Sequence, residues 1–288
     1  MSDAGSTESD LLVERHGSVC RVTLNRPERL NAFTAGPGGT RDQIVKALQA
    51  ADADGSVGCV LITANGPAFS AGGVLASENT EPPSPLDHYL FYKRLGEFYA
   101  QVRSTQKPTI AAVNGLCLGA ALGFIVQCDI AIASDTARLG LIEGRIGHPG
   151  AAELVAHIGA AWTKFLILTG ELIDGERAAE IGLALIAVPE EELVPRALSL
   201  AERIAALPRQ GNLLNKASVN AIFDAMGGAA GRVAGRAHEA LTRSMSHAAA
   251  APDGRLFEDI LRKEGVRGLK QARELQYKEP WLRPRSKP

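Results

Sequence analysis

Apolar residues along the first two thirds of this chain come in short runs, and the spacing within each run predicts its conformation. Residues 11–25 (L-L-V-E-R-H-G-S-V-C-R-V-T-L-N) hold two strand-like stretches separated by His16-Gly17-Ser18, which predicts two short strands and a turn. Arg26-Pro27-Glu28-Arg29 reads as a loop. After Pro37-Gly38-Gly39, residues 40–51 place Ile44, Val45 and Leu48 on one helical face. The run C-V-L-I-T at 59–63 predicts a strand buried on both faces, closed by the turn N-G-P at 65–67.

The same order then repeats. Residues 109–113 (T-I-A-A-V) predict a strand, Asn114-Gly115 a turn, 119–127 a helix and 130–134 (I-A-I-A-S) another strand. A helical stretch follows from about residue 151. Strands alternating with helices indicate an α/β fold with βαβ units. From residue 190 onward the signals are helical almost to the end. The expected organisation is a short disordered lead-in at 1–10, an α/β core over 11–206 and a helical C-terminal region over 207–288. Three prolines within residues 78–85 (E-N-T-E-P-P-S-P) predict a surface loop there.

One uncharged run, residues 110–128, has the length of a membrane span. Asn114-Gly115 is turn chemistry that a lipid-facing helix would not tolerate, so a buried strand followed by a buried helix is the expectation. The 288 residues are 45% hydrophobic and 22% charged with a net charge of −1, which suits a globular fold and does not advertise a nucleic-acid or anionic-membrane partner. The polar, acidic start lacks the features of a signal peptide, and the expected location is cytoplasmic. Cys20, Cys59, Cys117 and Cys128 form no C-x-x-C pair and sit beside aliphatic residues, so buried reduced thiols are expected in place of a metal site or disulfide.

Two similar junctions carry the candidate chemistry. A-F-S-A-G-G-V (68–74) follows the strand at 59–63, and N-G-L-C-L-G-A-A-L-G (114–123) follows the strand at 109–113. Small residues at such places let backbone approach a ligand. The first amides of a helix lack an intrahelical acceptor, and two such amides converging on one point make an oxyanion hole. Close helix packing through Gly115, Gly119 and Gly123 and a plain turn at Gly72-Gly73 are the competing explanations. Neither junction matches G-x-G-x-x-G or G-x-x-x-x-G-K-[ST], so nucleotide binding has little support.

Four segments in order, L-N-R-P-E-R-L-N-A (24–32), A-F-S-A-G-G (68–73), K-P-T-I-A-A-V-N-G-L-C-L-G-A-A-L (107–122) and L-T-G-E-L-I-D-G-E-R-A-A-E-I-G-L (168–183), resemble motifs of the crotonase (enoyl-CoA hydratase/isomerase) superfamily. The similarity runs from about residue 12 to 205. It implies a spiral core of repeated ββα units and a homotrimer or hexamer completed by the C-terminal helices. It also implies an acyl-CoA thioester as substrate, with no metal or redox cofactor. Carried over by position, the oxyanion amides are those of Gly73 and Ala120, each worth roughly 3 kcal/mol to the reaction. Leu30, Ala32, Ala71, Gly72, Val74, Leu116, Leu118, Gly119 and Leu141 would line the substrate and CoA site.

Hydratases of this family use two glutamates. The first would fall at Gly123, in G-A-A-L-G (119–123), where this chain has no carboxylate; the second is kept as Glu143, in L-G-L-I-E (139–143). A single base suffices to move a proton between carbons of an enolate, so isomerisation is expected ahead of hydration. Apolar Leu141 and Ile142 should raise the pKa of Glu143; the structural alternative is a cap or an ion pair with Arg145. Val74 replaces an aspartate common in the family. His148, in G-H-P-G-A-A-E (147–153), is a possible acid or base, though a loop role is favoured, and Glu153 is expected on a helix surface. Hydrolysis or carbon–carbon cleavage of a dicarbonyl substrate, and a non-catalytic acyl-CoA binder, are the competing functions.

Overall fold

The structure is a computed structural model that describes residues 10–74, 83–277 and 279–282. Among these, β1 (Leu11–His16) and β2 (Val19–Leu24) form the expected hairpin, and α1 (Thr40–Ala53) follows. Three ββα units come next. They are β3 (Cys59–Ala64), β4 (Ala68–Ser70) and α2 (Pro85–Ser104); β5 (Thr109–Val113), β6 (Leu116–Leu118) and α3 (Ala120–Ile125); and β7 (Ile130–Ser134), β8 (Arg138–Gly140) and α4 (Val155–Thr169). The core ends with β9 (Leu172–Asp174), α5 (Gly175–Glu180), β10 (Ile186–Val188) and α6 (Glu190–Ala205). After it come α7 (Arg209–Phe223), α8 (Ala229–Met245) and α9 (Phe257–Glu274).

In each unit the first strand joins one sheet and the second joins another. The larger sheet runs β1-β2-β3-β5-β7-β10, parallel from β2 onward; the smaller runs β4-β6-β8-β9. Alternation along the strands serves two cores. Val60, Ile62, Ala111 and Val113 face the helices of the main core, whereas Cys59, Leu61, Ile110 and Ala112 pack under α6 with Leu193, Ala197 and Ala201. A strand with apolar residues on both faces reads as a continuous hydrophobic run. The uncharged run at 110–128 is thus β5, β6 and α3, enclosed by protein. Among the described residues no helix is long and apolar enough to cross a membrane. The four cysteines are buried.

Three expectations need correction. The apolar runs alone predict one strand per unit, because the strands of the smaller sheet are three residues each and too short to show a period; the second strands agree with the ββα units the motifs imply. The helix expected over 119–127 is shorter, Ala120–Ile125, since Gly119 takes φ 55° and starts it one residue later. Pro85 is not in a loop: it opens α2, whose capping box pairs the Ser84 hydroxyl and the Asp87 carboxylate. Proline suits the first helical position, which needs no N–H donor. Residues 78–82 of the expected loop, and residues 1–9 of the expected lead-in, lie outside the described residues.

Candidate functional site

The first junction is held by a buried asparagine. Asn31 is 2% exposed and sits at φ 51°, a region asparagine tolerates better than most residues. Its side-chain amide donates to the carbonyls of Asn65 (2.9 Å) and Ala68 (2.7 Å), and its Oδ1 accepts from the Arg26 amide. This lays residues 30–33 beside residues 71–74. The Ala71 amide donates to the Leu30 carbonyl at 2.9 Å and the Phe33 amide to the Gly72 carbonyl at 2.7 Å. Leu30, Ala32 and Ala71, the expected CoA contacts, therefore sit on adjoining loop segments and keep accessible surface, as does Val74.

The second junction lies directly against the first. Gly72, at φ 87°, is so close that an added Cβ would stand 2.5 Å from the Leu118 carbonyl oxygen and 3.2 Å from the Ala120 nitrogen. Only glycine fits there, for its dihedral as well as for the space. The Gly119 amide donates to the Gly140 carbonyl at 3.0 Å, and Ala120 begins α3. Among the described residues the Gly73 and Ala120 amides have no protein acceptor. Two donors in adjoining segments are thus left for a ligand.

Pairing of β6 with β8 brings Glu143 to this point. Leu118 is in register with Gly140, and the chain turns through residues 142–146 immediately after. A Cβ on Gly119 would come within 3.0 and 3.1 Å of the two Glu143 carboxylate oxygens, so the carboxylate rests on the turn that leads into Ala120. Burial pushes its pKa up to about 7, against weaker opposing effects of its own amide and of Arg273. The alternative ion pair with Arg145 is not made. Arg145 instead bonds the Gly170 carbonyl, pairs with Glu274 and covers the Tyr277 ring at 3.7 Å.

The position without a carboxylate is filled by a phenol. A Cβ on Gly123 would lie 2.6 Å from Cζ of Tyr99, whose hydroxyl donates to the Ala120 carbonyl at 2.8 Å. Burial pushes this phenol well above its ordinary pKa and keeps it a donor. His148 stays in its loop with its amide on the Glu143 carbonyl, and burial pulls its imidazole down to about 3. Leu116 is half-buried at the start of β6 and Leu118 almost fully buried. Leu141, expected against the substrate, is 0% exposed and backs the turn carrying Glu143.

Two further departures concern charge. Glu153 lies half-buried on the one-turn helix Ala152–Leu154, where it lines a cavity with Tyr99 and Glu239, and burial raises its pKa. Arg41 went unnoticed in the sequence. It is 8% exposed, with one terminal nitrogen 3.6 Å from where a Gly73 Cβ would stand and its guanidinium over the Phe91 ring at 5.4 Å. The signal was available: position 41 continues the apolar stripe of Ile44, Val45 and Leu48, so its side chain had to face inward.

Three successive ββα units that feed two sheets agree with the fold the motifs suggested. The sequence profile of the enoyl-CoA hydratase/isomerase family matches residues 14–250. The chain belongs to that family, within the crotonase superfamily. It is 35% identical over 214 residues to a Rhizobium meliloti (strain 1021) protein named "Probable enoyl-CoA hydratase", covering 73% of this chain and 80% of that one. It is 34% identical over 201 residues to the 2,3-dehydroadipyl-CoA hydratase of Escherichia coli (strain K12), covering 68% and 76%. A crystal structure of an enoyl-CoA hydratase/isomerase from Xanthobacter autotrophicus Py2 superposes with a TM-score of 0.85 at 29% identity, covering 95% of this chain and 100% of that one.

Proposed function

We propose that this family member stabilises a thioester enolate between the amides of Gly73 and Ala120, with Glu143 as its single acid/base, and that its leading reaction is enoyl-CoA isomerisation. The Glu143 carboxylate takes a proton from C2 of a 3-enoyl thioester. The electrons move into the thioester, leaving a dienolate whose oxygen the two amides hold. The same carboxyl then returns a proton to C4, and the double bond ends between C2 and C3. A pKa of about 7 suits a group that must both take and give a proton near neutrality. The observation that carries this reading is the Glu143 carboxylate resting on Gly119, beside an open amide, with Tyr99 where a second carboxylate would be.

Hydration is the second reading, favoured by the names of the relatives, and it asks Glu143 to handle water without a partner at position 123. Hydrolysis or cleavage of a dicarbonyl substrate through His148 has less support, because an imidazole pulled down to about 3 is a poor base. Assembly into a trimer or hexamer is part of the proposal. Exposed Leu214, Ile222, Met226, Val233 and Leu241 on the C-terminal helices and the turn between them offer the apolar surface it needs.

The test offers 3-enoyl-CoA and 2-enoyl-CoA side by side, with Glu143→Gln as control. Turnover of the 3-enoyl ester alone, lost in the variant, is the expected result. Turnover of the 2-enoyl ester alone would replace isomerisation by hydration. Binding of both without turnover of either would leave a non-catalytic acyl-CoA binder.

A further inference from the structure

Beside the Gly73 amide stands a cation that nothing in the protein balances. Arg41 is the second residue of α1 and 8% exposed, and its Nε is buried without a partner. Among the described residues its guanidinium makes no ion pair and no hydrogen bond. One terminal nitrogen lies 3.6 Å from where a Gly73 Cβ would stand. Two covalent bonds separate that point from the Gly73 nitrogen, so the charge stands within about 7 Å of an amide left open for a ligand.

The surroundings of this charge are neutral. Phe91 offers it a ring face at 5.4 Å, a weak substitute for an anion. Tyr92 and Tyr99 are the other groups whose fields reach it, and burial pushes both phenols well above their ordinary range, so they stay protonated. Carboxylates around the start of α1 are engaged elsewhere. Asp42 takes Lys46 and the Gly38 amide, and Asp10 takes Arg26 and the Thr40 hydroxyl. The segment beside the guanidinium, A-G-G-V at 71–74, has no carboxylate to give. Thr34 satisfies the first amides of α1, its hydroxyl accepting from Thr40 at 2.8 Å and its carbonyl from Arg41 at 3.3 Å. The helix end therefore adds positive potential but no free donor, and the guanidinium is the group left over. It cannot shed its proton, and a charge kept out of water without a counter-charge is costly.

We propose that Arg41 recognises a carboxylate at the far end of the acyl group, so that the substrate is a monothioester of a short dicarboxylic acid. The proposal rests on the reading of Gly73, Ala120 and Glu143 as the thioester site. The two oxygens of a carboxylate match the planar fork of a guanidinium, and the pair would supply the counter-charge the protein lacks. Gly73 and Val74 keep accessible surface next to Arg41, so a ligand held at the Gly73 amide can extend to it. A separation within about 7 Å is bridged by a few carbon–carbon bonds, which is why the acid is a short one.

The experiment compares two saturated esters by calorimetry on the full chain at neutral pH. They are glutaryl-CoA and its terminal amide, 5-amino-5-oxopentanoyl-CoA, which share their shape and their CoA and differ in one charge. Neither has a double bond to move or hydrate. Glutaryl-CoA should bind the parent protein about tenfold tighter or more, the effect of hydrogen bonds between charged groups. Arg41→Met, which fills the space without the charge, should cut that ratio to about twofold or less, with most of the change falling on glutaryl-CoA. Arg41→Lys, a charge without the fork, should keep part of the ratio. The comparison on the parent needs no variant, so it decides the matter even if a substitution spoils folding. Equal binding of the two esters by the parent, or a ratio that survives Arg41→Met, would overturn the proposal and leave the thioester site standing. An equal loss of both esters in Arg41→Met would also overturn it, and would move Arg41 to a phosphate of CoA. Failure of both esters to bind the parent would overturn both readings.

Discussion

Two ends of this region, the paired glycine junctions and the cavity beside Tyr99, are built by different means. At the junctions the geometry is one of backbone, set by pairings between short strands: β4 with β6, and β6 with β8. Segments there approach so closely that Gly72 has the Leu118 carbonyl oxygen 2.5 Å from its missing Cβ. At the cavity the walls are side chains from α2, from the turn at 152–157 and from α8, and two of its glycines face open space. A glycine at the first end is there because nothing else fits, whereas two glycines at the second border open space.

Identical substitutions should separate the two ends. Gly72→Ala forces a Cβ onto the second junction at a dihedral that alanine resists, so it should displace the oxyanion amides. The expected loss in kcat/KM is about 10²–10³-fold, that of an oxyanion donor, with roughly 1–3 kcal/mol of stability lost in denaturant unfolding. Gly123→Glu restores the family's second carboxylate in sequence but not in space, because Tyr99 fills the position. Overpacking of about 1–3 kcal/mol and no gain in 2-enoyl-CoA hydration are expected, read by thermal unfolding and by a hydration assay. At the other end Gly235→Ala meets no neighbour, and the helix should gain about 0.5–1 kcal/mol. A Gly235→Ala protein less stable than its parent would contradict the view that this wall borders empty space.

The pH dependence joins the two ends. Glu143 and Glu239 are both raised in the folded protein, to about 7 and about 8, above the ordinary glutamate value. Between that ordinary value and the raised ones the folded state binds more protons than the unfolded state, so stability falls as pH rises through the interval. Activity has the opposite sign, since the base must be ionised: kcat/KM should climb as pH rises through about 7. Glu143→Gln should flatten part of the stability profile, which unfolding at a series of pH values would measure.

This contrast also explains what could be read in the sequence. Strands β3, β5 and β7 are continuous apolar runs, legible because both faces are buried, and their predicted bounds differ from the observed ones by at most a residue. The two glycine junctions were legible because close backbone approach admits few residue types. Gly123 marked an absence, but nothing local showed that Tyr99, two dozen residues earlier, occupies the space. Glu153 read as surface charge because helical periodicity does not reveal which face another helix will cover, and Glu239 gave no signal of its own. Those two carboxyls are brought to one cavity only when α8 packs against the turn at 152–154 as well as along α2. Arg41 could have been caught from its place in the apolar stripe of α1, had that single charged residue been weighed with its face.

The central claim is that Glu143 moves the proton of an enolate held by Gly73 and Ala120. It is tested most directly by following deuterium entry at C2 of an enzyme-bound acyl-CoA in D2O by NMR, for the parent protein and for Glu143→Gln. The account predicts exchange at C2 by the parent and a loss of about 10²–10⁴-fold in the variant, the usual contribution of a positioned base, with thioester binding retained. Exchange that persists in Glu143→Gln at the parent rate would contradict it.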